Sequence, residues 1–143
     1  MELKLVHKIY KDSDMSVSTL NTLIEELDGK NNEMIDTVKH IKKGYERYKK
    51  KASNILNQEK VGLDKIGVVT KIMAEQGVTR KVKYKHNDSS IASMLIKGIH
   101  MGVVDIDHEL EQLDEKADKK SIELARDFII FQKDNIKALK LYL

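Results

Sequence analysis

The sequence predicts an all-α protein: an up-and-down bundle of four long helices, with an additional helix in the crossover between helices 2 and 4. Three observations carry this. Proline is absent and only seven glycines punctuate 143 residues, so the residues that break helices are scarce. Apolar residues recur in alternating steps of four and three along most of the chain, the spacing that lines one face of a helix. N-cap residues and single glycines stand where these stripes start and stop. At this length one core suffices, and residues 1–143 read as a single helical-bundle domain.

The first stripe is Val6, Ile9, Val17, Leu20, Ile24 and Leu27, and it predicts one helix ending at Asp28 with Gly29 at its C-cap. The polar stretch Lys11-Asp12-Ser13-Asp14 in its middle could instead cap a shorter helix, but Ser13 stays in phase between Ile9 and Val17, which favours continuity. Asn31 or Asn32 then caps a second helix with the clearest stripe of all: Met34, Val38, Ile41, Tyr45, Tyr48, Ala52 and Ile55. An unbroken alternation of this length implies neighbours crossing at only about 20°. Asn57 and Gly62 bracket the next turn.

Ile66, Val69 and Met73 have helical spacing, whereas Gly77 interrupts and Lys81-Val82-Lys83-Tyr84-Lys85 alternates like an exposed strand. A lone strand is unstable, so the expectation is a third helix whose end is frayed or irregular over residues 77–87. Asn87-Asp88-Ser89-Ser90 is a dense cluster of N-cap residues ahead of a fourth helix with the stripe Ala92, Ile96, Ile99, Val103, Ile106, Leu110 and Leu113. Met94, Gly98, Met101 and Gly102 make a second apolar side on its first turns, as on a helix buried twice. Asp118 caps the last helix, striped by Ile122, Ala125, Ile129, Gln132, Ile136, Leu139 and Leu143 and flanked by Leu124, Phe128 and Phe131.

Composition narrows the function classes. There is no cysteine, which removes disulfides, thiolate metal sites and thiol nucleophiles and fits a reducing cytoplasm. Glu2, Lys4 and Lys8 interrupt the start of the chain, unlike a signal peptide, and no uninterrupted apolar run approaches the ~18 residues of a membrane span. The expectation is a soluble, cytoplasmic protein without membrane contact. The net charge of +3 is unevenly spread. One basic run lies in Lys39–Lys51 and another in Arg80–Lys85, while Asp105, Asp107, Glu109, Glu111, Asp114, Glu115 and Asp118 form an acidic one. Such segregation steers a partner or pairs helices internally.

Two long helices, a linking segment with its own helix and two more long helices look like the ferritin-like superfamily, in which one crossover joins two hairpins. More narrowly, Ile9-Tyr10-Lys11 with Met15, Ser90-Ile91-Ala92 through Met94, Gly98 and Met101-Gly102, and Asp134-Asn135-Ile136 with Leu139 and Leu143 resemble a group of small uncharacterised ferritin-like proteins of Gram-positive bacteria. The resemblance spans almost the whole chain. It rests on packing residues, so it implies a fold and brings no activity with it.

The superfamily's best-known chemistry holds two iron or manganese ions with a Glu from each of two helices and a Glu-x-x-His pair from each of the others. This chain has no Glu-x-x-His. The nearest substitutes are Asp105 with His108, the candidate metal ligands, and Asp36 with His40, which point away from the stripe of helix 2. An i,i+3 hydrogen-bonded pair at the rim is the stronger reading of Asp105 and His108. Glu25, Glu26, Glu123 and Asp127 lie off the apolar stripes. His7, His86 and His100 have no catalytic partner, and no phosphate loop or nucleophile motif is present. The basic face of helix 2 with Tyr45 and Tyr48 suggests nucleic acid, but both tyrosines fall on the core stripe.

The functional expectation is therefore a non-enzymatic, cofactor-free bundle acting through protein contacts. It would be a homodimer joined through Met94, Gly98, Met101 and Gly102 of helix 4 together with helix 3. The alternative is a degenerate metal-binding protein using Asp105 and His108; nucleic-acid binding by helix 2 ranks below both.

Overall fold

A computed structural model describes residues 3–59, 68–113 and 118–143, without the side chains of 68–70 and 72. Gly62, Ile66, Asp114 and Glu115, singled out above, lie outside the described residues, as does the side chain of Val69. Every regular element among the described residues is an α-helix, so the protein is all-α: α1 (Lys4–Glu26), α2 (Ile35–Gln58), α3 (Val68–Tyr84), α4 (Asp88–Glu111) and α5 (Lys119–Lys140).

Helix α1 runs unbroken through its polar middle because Ser13 is fully buried in phase with Ile9 and Leu20. It stops where the Leu27 N–H bonds back to the Leu23 carbonyl and Gly29 takes a left-handed φ of 77°, a conformation glycine adopts without steric cost. Neither Asn31 nor Asn32 caps α2, whose N-cap is Met34 with no side-chain hydrogen bond. Asn32 is used at long range instead. Its Nδ2 donates to Asp88 Oδ1 and to the His86 carbonyl, both at 2.7 Å, while the Glu33 N–H donates to Asp88 Oδ2 at 3.0 Å. The α1–α2 turn is thereby tied to the start of α4.

The α2 stripe is buried as expected from Met34 to Ala52, after which Leu56 takes the last core position and Ile55 is half-buried. Helix α3 differs from expectation over 77–84, where it continues regularly through Gly77 to Tyr84. Among its described side chains Val78 and Val82, four apart, are the buried ones, and the lysines alternating with Val82 project to solvent. The caps of α4 and α5 form as read: Asn87 accepts from the Ser90 N–H and Asp118 from the Ser121 N–H. Along the expected stripe of α4, Ala92, Ile99, Val103 and Ile106 are buried, joined by Ile91 and Leu95. The stripe of α5 is buried at Ala125, Ile129, Gln132 and Leu139, which closes the core, while Leu143, past the end of the helix, is exposed.

Side-chain pairs give the helix directions. Lys8 with Asp105 and Lys4 with Glu109 run in opposite senses, so α1 and α4 are antiparallel. Lys71 with Asp14, Glu75 with Ser18 and Thr79 with Glu26 run in the same sense, so α3 lies parallel to α1. The main packing pairs are α1 with α2 and α4 with α5, with α3 placed against α1. One contiguous apolar cluster draws on all five helices. At its α2–α5 side, Tyr45, Tyr48, Phe128 and Phe131 pack edge-on, tilted and stacked at 4.9–6.1 Å between centroids. Gly44 makes room for this, because a Cβ there would collide with the Phe131 ring.

The outer side of α4 is not covered in the same way. Although it lacks a long uninterrupted apolar run, α4 is by length and composition apolar enough to cross a membrane, and 33% of that stretch is buried. Met101 and Val104 stand 68% and 54% exposed on it.

Candidate functional site

Polar groups at core positions are costly unless hydrogen-bonded, and midway along this protein three of them meet. Asp12 of α1, Tyr45 of α2 and Gln132 of α5 converge: the Gln132 amide Nε2 donates to Asp12 Oδ2 at 3.0 Å and to the Tyr45 hydroxyl at 3.1 Å. Helix α4 contributes a missing side chain. A Cβ at Gly102 would lie 2.7 Å from Asp12 Oδ2 and 2.8 Å from Gln132 Nε2, so glycine there lets the carboxylate and amide approach. The Gln132 Oε1 is buried and has no hydrogen-bond partner among the described residues.

The electrostatics follow from the enclosure. Desolvation pushes the Asp12 carboxyl up to about 6, opposed by the hydrogen bond from Gln132, reinforced by the charge of Asp105, and opposed again by Ser16. Burial likewise raises the Tyr45 phenol, with the Asp12 charge adding to it. Two residues away the outcome is reversed. Desolvation also acts to raise Asp14, but the ammonium groups of Lys71 at 2.7 Å and Lys49 at 3.0 Å overcome it and hold the carboxyl below its ordinary range.

Asp12 stands where two hollows meet. An open groove of about 930 Å³ follows the α1–α4 seam past Lys8, Met15, Gly98, Met101, Asp105 and His108. Behind it, a more enclosed cavity of about 260 Å³ lies among α1, α3 and α4, and Asp12, Met15 and Gly98 border both. Ser16, Thr19 and Tyr45 give the inner cavity hydroxyls; Leu20, Val78, Leu95 and Ile99 give it an apolar wall.

The residues singled out from sequence are placed as follows. Asp105 is exposed and ion-paired with Lys8 Nζ at 2.7 Å; His108 is exposed on the groove. Among the described residues no three His, Asp or Glu side chains group as metal ligands do. The two helix 4 glycines have different jobs. Gly98 faces open space, whereas Gly102, half-buried on the groove, leaves room for Asp12 and Gln132 to approach the helix backbone. Met101 is exposed and Met94 half-buried. Asp36 and His40 are both exposed, and Tyr45 and Tyr48 are core residues, with Lys51 Nζ 5.1 Å above the Tyr48 ring. Part of the acidic run on α4 is spent internally, Glu109 and Asp105 pairing with lysines of α1.

Asp12 and Ser16 were not recognised as site residues from sequence. The available signal was their spacing: Ile9, Asp12, Ser16 and Leu20 step by three, four and four, which places both polar residues on a core-facing line. Fold and site together define an all-α helical protein with a polar node inside its apolar core. Comparison of the chain with protein-family models, with curated proteins and with solved structures returned no match.

Proposed function

We propose that this protein is a ferritin-like up-and-down four-helix bundle, with α3 as the crossover helix, that works as a non-catalytic interaction module by pairing with a second copy through the outer face of α4. The parallel course of α3 along α1 supports the architecture: it returns the chain along the length of the α1–α2 hairpin, so that α4 starts beside the α1–α2 turn.

The self-complementarity of one helix face carries the functional reading. Met94, Lys97, Gly98, Met101, Val104, Asp105 and His108 fall within about 60° of Met101 around α4, opposite the core residues Ala92, Ile99 and Val103. A two-fold axis at Met101 with the helices antiparallel sets Met101 against its own copy. It brings Lys97 to the height of Asp105 in the second copy, and Gly98 to the height of Val104. Opposite charges and exposed apolar groups thus stand level with their complements twice across the seam, as an isologous interface requires, with Asp105 shared between Lys8 of its own chain and the second copy.

Sedimentation equilibrium from micromolar to submillimolar concentration tests this. The wild type is expected to dimerise, and Met101→Glu, at an exposed position with no core contact to lose, to remain folded and monomeric. A wild type that stays monomeric throughout, or a Met101→Glu variant that associates as well as wild type, overturns the reading.

A further inference from the structure

We propose that the inner cavity among α1, α3 and α4 binds a small organic ammonium ion, its charged end on the Asp12 carboxylate and its short apolar body against Leu20, Val78, Leu95 and Ile99. The bundle does not need an acid at this point for packing, and the self-association reading makes no use of it. Asp12 borders the outer groove as well as the cavity, so the group is reachable from solvent without opening the core.

The chemistry at the two ends of the cavity selects the ligand. A carboxylate offers about four lone-pair sites; the bonds from Gln132 and Ser16 use two and leave acceptor capacity. The hydroxyls of Ser16, Thr19 and Tyr45 offer acceptors for the two N–H groups that the carboxylate leaves free on an ammonium ion. Among the described residues no lysine or arginine lines the inner cavity; Lys8 and Lys11 stand on the groove side. Asp105, close enough to act on Asp12, adds negative potential. An anion is thereby disfavoured, and a neutral alcohol would leave the half-buried carboxylate without a counter-charge.

At about 260 Å³ the space is just under the ~300 Å³ lower end of ordinary small-molecule pockets. It suits a short alkyl or single-ring amine and excludes a nucleotide or a lipid chain. The charge of a bound cation also offsets the desolvation that holds the Asp12 carboxyl near 6, so occupancy and ionisation of this group support each other.

The test is a titration with cyclohexylammonium chloride at pH 7.5, followed by amide chemical shifts, with cyclohexanol and cyclohexanecarboxylate as neutral and anionic counterparts. The expected result is saturable shifts at Ser16, Leu95 and Ile99 for the ammonium ion and none for the other two. Asp12→Asn keeps the acceptor for Gln132 and is expected to fold and to bind at least about tenfold more weakly. The same titration on Met101→Glu is expected to match wild type, which separates this site from self-association. No saturable shift in wild type, equal binding of the alcohol or carboxylate, or undiminished binding by Asp12→Asn each overturns the proposal.

Discussion

Two aspartates of α1, two residues apart, respond to pH in opposite ways because of what faces them. Asp12 meets an amide, a phenol and a glycine, and its folded value of about 6 exceeds the ordinary 3.8. The folded state therefore holds the proton more tightly than the unfolded chain. The resulting penalty is absent below about 4, grows between 4 and 6, and is complete above 6, where it reaches at most about 3 kcal/mol. Asp12→Asn is accordingly expected to raise the urea midpoint at pH 7.5 and to lose that advantage by pH 4. Asp14, held down by Lys71 and Lys49, contributes stability that is complete above the ordinary carboxylate range and is lost as pH falls through its lower folded value. Asp14→Asn should lower the midpoint at pH 7.5, and the difference from wild type should shrink below pH 4. Had both variants the same sign at pH 7.5, the opposed environments assigned to these carboxyls would be wrong. From sequence the two read alike, as a polar interruption; only the partners, supplied by α2, α3, α4 and α5, distinguish them.

At the scale of single helices, glycine shows most directly what packing adds to propensity. In isolation Ala is favoured over Gly in a helix interior by about 1 kcal/mol. Gly77→Ala on α3, where a Cβ meets nothing within 4 Å, is expected to gain up to that amount. Gly44→Ala on α2 would drive a methyl into Phe131 and should instead cost about 1–3 kcal/mol. Equilibrium denaturation of the pair decides this, and a stabilised Gly44→Ala would show that the α2–α5 seam is looser than described. Helix α3 itself rests mainly on α1, through Val78, Val82 and the Lys71, Glu75 and Thr79 bonds. Its amides should therefore exchange with deuterium well before those of α2, and Lys71→Met should speed them further. The stripes of α2 and α4 were legible because their burial is periodic. The regularity of α3 beyond Gly77 was not, because only two of its residues there are buried and its lysines mimic strand alternation. Nor could the role of Asn32 be read locally, since its partners lie 54 and 56 residues away.

Across the whole molecule, the element order and the all-α class followed from composition and spacing, while the relations among helices are set by contacts no local pattern encodes. Asp88 is the clearest case. It was read as one of several cap residues, yet its carboxylate takes hydrogen bonds from Asn32 and from the Glu33 backbone and fastens one hairpin to the other at a single end. Asp88→Ala should cost about 1–3 kcal/mol, with the loss largest for the register of α4 against α1 and little change in helix content by circular dichroism. The polar node was the hardest feature to read. Each member sits on a different helix, and none is unusual until Asp12, Tyr45, Gln132 and Gly102 are seen side by side.

The Lys97 and Asp105 positions on the outer side of α4 also offer a route to selective mating. Swapping the charge at one of them in each of two preparations, Lys97→Glu in the first and Asp105→Lys in the second, gives chains that repel their own kind and attract each other. Mixed, they should form a one-to-one partnership that neither forms alone, turning a symmetric association into an obligate pair of unlike molecules.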